Sequence, residues 1–228
     1  MRYYFAPMEG LTDSIYRRLH HKYFPGVDRY YMPFLSPTIH RSLTHKEDRE
    51  LPMADSVDFS AVPQVLTKVA EDFLWAAQVC RDRGYEEVNL NIGCPSGTVV
   101  SKGKGAGMLA DTDHLDAFFN EIFSKCSIPV SIKTRLGWSD PNEFQTWLPI
   151  LLEQHPAALT VHLRTKKEMS KVPAHYELIP EIIQLRNKVS PETKLIINGD
   201  IRDKAHALEL HQKYPEIDGF MVGRGVFQ

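Results

Sequence analysis

The chain has 228 residues, 43% of them hydrophobic and 25% charged, with a formal net charge of −2. This composition is that of a water-soluble globular chain, and the length suits one α/β domain with a sizeable core better than two independent domains. No apolar run approaches the roughly 20 residues that cross a bilayer, and the opening Met1-Arg2-Tyr3-Tyr4-Phe5-Ala6-Pro7 is strand-like at once, without room for a signal peptide; a cytoplasmic protein with no membrane partner is expected.

The first strand is predicted over residues 3–7 and the first helix over about 13–23. A second strand follows at 29–32, then a long polar stretch, a third strand at 62–66 and a helix over about 70–83. The fourth strand, 87–92, runs into a glycine-rich loop and a helix at about 114–124. Strands at 129–134, 158–163, 194–198 and 219–222 complete the series, with helices near 143–154, 180–189 and 204–214 between them. Eight short strands separated by helices imply right-handed βαβ units and a parallel sheet. Eight such units close into a (β/α)8 TIM-type barrel; a doubly wound sheet shares the alternation and is the structural alternative. The sequence stops at Gln228, just after the eighth strand. A barrel truncated there is expected, lacking its last helix and with nothing to supply a second domain.

Alternation along the strands separates two faces. Val130 and Ile132 oppose Ser131, Lys133 and Arg135; Leu159, Val161 and Leu163 oppose Thr160, His162 and Arg164; Val88, Leu90 and Ile92 oppose Asn89 and Asn91. The aliphatic face suits the helix layer, so the polar face points into the barrel. Polar groups there are costly without partners, and at the C-terminal ends of barrel strands they read as catalytic or ligand-binding. The same rim collects Pro7-Met8-Glu9-Gly10, Gln64, Asn91-Ile92-Gly93-Cys94-Pro95, Asn198-Gly199-Asp200 and Gly223-Arg224-Gly225. The last two are ordinary turns taken singly, but after strands seven and eight they occupy the usual phosphate position of such barrels. Lys133 is either a solvated strand-end lysine or, pointing inward, a functional one, including a Schiff-base lysine. His162 alone reads as a satisfied core histidine.

The three cysteines, Cys80, Cys94 and Cys126, are widely spaced and form no CxxC pair or Cys/His cluster, so neither a disulfide framework nor a metal site is expected. Cys80 falls in a helical apolar pattern and Cys126 in a helix-to-strand turn; both read as structural. Cys94 lies between a glycine and a proline at a strand end, which makes it either a small residue at a tight turn or a thiol facing the cleft. Directly after it, Ser101-Lys102-Gly103-Lys104-Gly105-Ala106-Gly107 has the composition of a flexible basic lid over an anionic substrate.

With these elements in place, Ala6-Pro7-Met8-Glu9-Gly10-Leu11-Thr12-Asp13, Asn91-Ile92-Gly93-Cys94-Pro95, Lys102-Gly103-Lys104-Gly105-Ala106-Gly107, Lys133-Thr134-Arg135-Leu136-Gly137, His162-Leu163-Arg164-Thr165 and the two glycine turns resemble the tRNA-dihydrouridine synthases, in order from Tyr4 to Gly225. The resemblance implies a TIM-type barrel holding FMN, joined to a C-terminal helical tRNA-gripping domain that this sequence does not contain. It also implies that Pro7, Met8 and Glu9 lie along the flavin, with Gln64 and Lys133 on its ring. His162, Asn198, Gly199, Asp200, Gly223 and Arg224 would hold the ribityl chain and phosphate, Asn91 would meet the target uracil, and Cys94 would be the general acid. NADPH as reductant rests on the resemblance alone, since no GxGxxG fingerprint is present. An ordinary thiol, mostly protonated at neutral pH, needs no thiolate-stabilising partner for this task.

The target base must leave its stack to be reduced. Lys102, Lys104, Arg164, Lys166, Lys167 and Lys171 sit in rim loops where they can meet tRNA phosphates, although the near-neutral net charge announces no nucleic-acid partner by itself. The competing readings are another FMN barrel, such as one acting on dihydroorotate, a Schiff-base aldolase using Lys133, and a flavin-free barrel that only docks RNA.

Overall fold

The computed structural model describes residues 1–227. Nine short parallel strands form one sheet: β1 (Arg2–Phe5), β2 (Arg29–Tyr31), β3 (Ala61–Val62), β4 (Gln64–Val65), β5 (Val88–Ile92), β6 (Val130–Arg135), β7 (Ala158–His162), β8 (Lys194–Asn198) and β9 (Gly219–Val222). Their order is β3-β2-β1-β9-β8-β7-β6-β5-β4. The two ends of that order, β3 and β4, are consecutive in the chain and separated only by Pro63. Proline has no N–H for a ladder, but the Pro63 carbonyl still accepts from the Asn89 N–H at 2.9 Å. The expected third strand is thus split in two, and the sheet curls into a nearly closed eight-position barrel.

The main helices are α1 (Ser14–Tyr23), α3 (Ala70–Asp82), α5 (Thr112–Lys125), α6 (Phe144–Leu152), α7 (Ile179–Val189) and α8 (Lys204–Lys213), each within a few residues of its predicted span. Three start where an aspartate side chain accepts from the N–H three residues on: Asp13 from Tyr16, Asp111 from His114 and Asp203 from His206. Two short helices fall in stretches predicted as loop, α2 (His45–Glu50) and α4 (Gly97–Val100). A capping box between Thr44 and Glu47 explains α2, whose apolar content is too low to give a helical pattern.

The strand faces divide as the alternation predicts. Val88, Leu90, Ile92, Val130, Ile132, Leu159, Val161 and Leu163 join helix residues such as Phe73, Phe119, Trp147 and Ile182 in the outer core. Inside the barrel, a smaller apolar cluster is formed by Tyr4, Ala6, Tyr31, Val62, Ala158, Ile196 and Met221. Glu87 and Arg29 close the bottom as an ion pair at 2.5 Å. Above this plug the interior becomes polar, layer by layer, with Gln64, Asn89, Ser131 and Thr160 buried, then Asn91 and Asn198 nearer the mouth. Strand register sets Asn91 beside Lys133, Arg135 beside His162, and His162 beside Asn198. The site therefore sits on a packed floor at the C-terminal ends of the strands.

Candidate active site

A cavity of about 780 Å³ opens at that end, within the size range of cofactor sites. Of the residues singled out from sequence, Pro7, Met8, Lys133, His162, Asn198, Gly199, Asp200, Gly223 and Arg224 line it. Gln64 and Asn91 lie beneath, buried in the interior and hydrogen-bonded to one another at 2.9 Å. Glu9 lies outside the cavity and pairs with Lys46 at 2.6 Å on the surface.

Cys94 is half-buried at the end of β5. The Asn91 side-chain carbonyl accepts from the backbone N–H of Gly93 at 3.0 Å and of Cys94 at 2.9 Å. This is how asparagine closes a turn on its own backbone. Arg135 Nε donates to the Gly93 carbonyl at 2.8 Å, so the peptide unit joining Gly93 to Cys94 is held at both its oxygen and its N–H. The Ala106 N–H donates in turn to the Cys94 carbonyl at 3.0 Å. Two glycines permit this packing. A Cβ on Gly93 would lie 3.1 Å from the Thr134 carbonyl carbon, and one on Gly105, at φ +57°, would lie 2.8 Å from the Cys94 oxygen.

The Ser101–Gly107 stretch is therefore not the lid that its composition suggests. Gly105, Ala106, Met108 and Leu109 are buried in a 3-10 turn that packs beneath Cys94. Its glycines serve close approach rather than mobility. Lys102 stays exposed, and Lys104 reaches across to the Ser36 hydroxyl at 3.3 Å.

Positive charge dominates the cavity wall. Burial pushes Lys133 from 10.5 down to about 8, Arg135 adds to the fall, and Cys94 opposes it. Burial, followed by Arg135, Lys133, Arg164 and Arg224, holds His162 well below its usual range, so the ring is neutral at neutral pH. Arg164 is a correction to the sequence reading, which placed it on the rim against phosphates. Its side chain is only 2% exposed and pairs with Asp200, while its Nε donates to the Val172 carbonyl. Asp200 also meets Arg224 at 3.1 Å and accepts from the Ala174 N–H at 3.0 Å. Burial raises its pKa, but the bonds from Arg164 and Ala174 outweigh burial and lower it overall. Its φ of +53° is a left-handed conformation for a side-chain-bearing residue, held in place by these bonds.

The sequence model of the family described as "Dihydrouridine synthase (Dus)" matches residues 4–228. The chain belongs to the dihydrouridine synthase family. A "Probable tRNA-dihydrouridine synthase" of Staphylococcus epidermidis is 38% identical over 97% of this chain and 68% of its own length. A "Probable tRNA-dihydrouridine synthase 2" of Bacillus subtilis is 36% identical over the same shares. A GH18 chitinase from Pseudoalteromonas aurantia superposes with a TM-score of 0.59 at 10% identity, covering 98% of this chain and 94% of that one, a likeness of fold alone.

In this dihydrouridine synthase barrel, Arg135 carries more than its sequence position suggests. Besides Gly93 it donates to the carbonyls of Thr165 at 3.1 Å and Met169 at 2.9 Å, tying the Cys94 turn to the loop after β7. The alternation of β6 had already turned it inward beside Lys133, which was the available signal. Met169, Ser170, Arg202 and His206 also line the cavity. Met169, Ser170 and Arg202 come from loops with no periodicity, and His206 from the first turn of α8; none gave a signal in the sequence.

Proposed function

We propose that this chain is an FMN-dependent tRNA-dihydrouridine synthase, reducing the C5–C6 bond of uridines in tRNA, with NADPH as reductant and Cys94 as general acid. The observation that carries the reading is a convergence at one end of the barrel: the Cys94 turn closes β5, while half-buried Lys133 and an anion cradle line the cavity beside it.

The residues present fit FMN. The backbone N–H groups of Gly199, Asp200 and Gly223 donate to no acceptor among the described residues, and with the Arg224 guanidinium they suit a phosphate. Arg164 donates toward His162 Nε2 at 3.3 Å, which leaves the ring proton on Nδ1; that buried nitrogen has no partner and suits a ribityl hydroxyl. Lys133 would hold the ring, Pro7 and Met8 would run along it, and Gln64, buried beneath the cavity, would act only through its bond to Asn91. Arg164 contributes by orienting His162 and Asp200, and Glu9 stands too far outside to share the work.

FMN, when bound and reduced, supplies a hydride for C6 of the pyrimidine. Lys133, with a pKa of about 8, stays mostly protonated at neutral pH and places a cation where negative charge collects. Asn91 steadies the turn that aims the Cys94 Sγ–H, and the thiol delivers its proton to C5. Exposed Lys102 and the rim lysines Lys166, Lys167 and Lys171 would meet tRNA phosphates, and Lys104 would do so after releasing Ser36.

An absorption spectrum of the purified protein tests the cofactor first, and bound flavin is expected. Cys94→Ala should retain flavin-dependent NADPH oxidation while dihydrouridine formation falls by about 100-fold or more, the usual worth of a general acid. A Cys94→Ala protein that reduces tRNA at the parent rate overturns the role of Cys94. A colourless protein whose Lys133 is trapped by borohydride on a keto substrate would establish the aldolase reading instead.

A further inference from the structure

Four buried polar side chains inside the barrel form a single chain running away from Cys94. Asn91 Nδ2 donates to Gln64 Oε1 at 2.9 Å, Gln64 Nε2 to Asn89 Oδ1 at 2.8 Å, and Asn89 Nδ2 to Ser131 Oγ at 2.9 Å. Asn89 is 0% exposed and Gln64 and Ser131 are 1% exposed each, so water cannot stand in for a missing partner. The direction of the chain is fixed at its upper end. The Gly93 and Cys94 N–H groups can only donate, so the Asn91 carbonyl must face them and its amide nitrogen must face Gln64. Each amide then orients the next, down to a hydroxyl that can accept.

The two lower members, Asn89 and Ser131, lie below the cavity and do not line it. Burying two more polar residues among strands would be a poor design for stability alone, because an apolar pair of the same shape would pack without needing partners. A chain of aligned amides does supply rigidity, since each bond polarises its neighbour. Its upper end grips the peptide unit that carries Cys94.

We propose that Asn89 and Ser131 are positioning residues for the general acid: through Gln64 and Asn91 they lock the turn that aims the Cys94 thiol. The proposal rests on the functional reading above for the role of Cys94, but the lock itself can be read without turnover.

The test compares Asn89→Leu, which matches the shape and ends the chain, with Asn89→Asp, whose carboxyl still accepts from Gln64 and still meets Ser131. Iodoacetamide labelling of the FMN-loaded protein is followed at the Cys94 peptide by mass spectrometry, beside steady-state reduction of tRNA. Asn89→Leu should label Cys94 several-fold faster than the parent. It should also lower kcat about tenfold with KM within about twofold, the mark of misaimed chemistry and not of weakened binding. Asn89→Asp should restore both. Should Asn89→Leu fail to fold, Ser131→Ala removes only the terminal hydroxyl and should move labelling and kcat in the same direction by a smaller factor. Parent-like labelling and kcat in both truncations, or a loss that falls on KM alone, would overturn the proposal. A parent protein that reduces no uridine would sink the functional reading instead, and the labelling arm would still decide the lock.

Discussion

The two sides of the barrel mouth hold their functional groups by opposite means. On the β5–β6 side, Cys94 is fixed without any ion pair, with the Asn91 carbonyl under its N–H, Ala106 on its carbonyl, Arg135 on the neighbouring Gly93 carbonyl, and glycines that allow backbones to touch. On the β8–β9 side, Asp200 is fixed by charge, between Arg164 and Arg224, in a backbone conformation that costs energy. A group that must deliver a proton along one line needs rigidity that does not depend on pH. A cradle for a phosphate needs a surplus of positive charge, and one carboxylate keeps the arginines arranged before the anion arrives. The difference between ion-pair-free and ionic support fits what the proposed function asks of each side.

The largest effect should come from breaking the ionic side. Asp200→Asn keeps the acceptor for Ala174 and tolerates the left-handed backbone, so it removes only the charge. It leaves Arg164 buried without a counter-charge, and the urea midpoint should report a loss of about 2 kcal/mol at pH 7. That lies below the usual cost of breaking a buried pair because Asp200 keeps 32% of its side chain in water. The pH dependence has a definite sign. The Asp200 pKa is depressed by folding, so its contribution is present above the unfolded value near 3.9 and fades as pH falls through the lower folded one. The parent and the variant should converge in acid. A gap that does not narrow as pH falls below the unfolded value would mean that geometry, not charge, does the holding.

The β5–β6 side should break differently. Gly105→Ala meets both a φ of +57° and a Cβ position 2.9 Å from Val99 Cγ1, so a loss of about 2 kcal/mol is expected together with faster Cys94 labelling. Gly10→Ala is the control: at φ +76° with nothing within 4 Å of its Cβ, it should cost only about 1 kcal/mol and leave Cys94 labelling unchanged. Neither loss should vary between pH 5 and pH 8, since no titrating group is involved. Equal effects of the two glycines on labelling would show that the 3-10 turn does not support Cys94.

How far the sequence reached follows from what it encodes locally. The period-two alternation of β5, β6 and β7 displayed the inward polar face, and so the Lys133, Arg135 and His162 part of the cavity wall, because strand geometry leaves a side chain only two directions. The split at Pro63 was invisible as a seam, since closure depends on β2 and β5, more than twenty residues away on either side in the chain. The glycine-rich stretch was misjudged because composition gives backbone freedom but not the neighbour that uses it; the Cys94 carbonyl is that neighbour. Arg164 was placed on the rim because its partner Asp200 lies 36 residues downstream. Glu9 carried over from a motif, yet it lies outside the cavity and pairs with Lys46 on the surface.

The smallest expected effect has the opposite sign, and it concerns Lys133, which stands where the two sides meet. Burial lowers its pKa to about 8 from the ordinary 10.5, with Arg135 adding to the fall. The folded chain therefore binds this proton less tightly than the unfolded chain does. Stability is reduced at every pH below about 8, and the loss is relieved as pH climbs toward 10.5. Lys133→Met should thus make the apo protein more stable at pH 7 by about 1 kcal/mol, with the gap closing above pH 10, while flavin binding is lost. A parent as stable as the variant at pH 7 would mean that the ammonium is already compensated within the protein. The expected outcome means that the barrel keeps an uncompensated cation in its mouth at a cost to its own stability, the pattern expected where an anionic ligand completes the site.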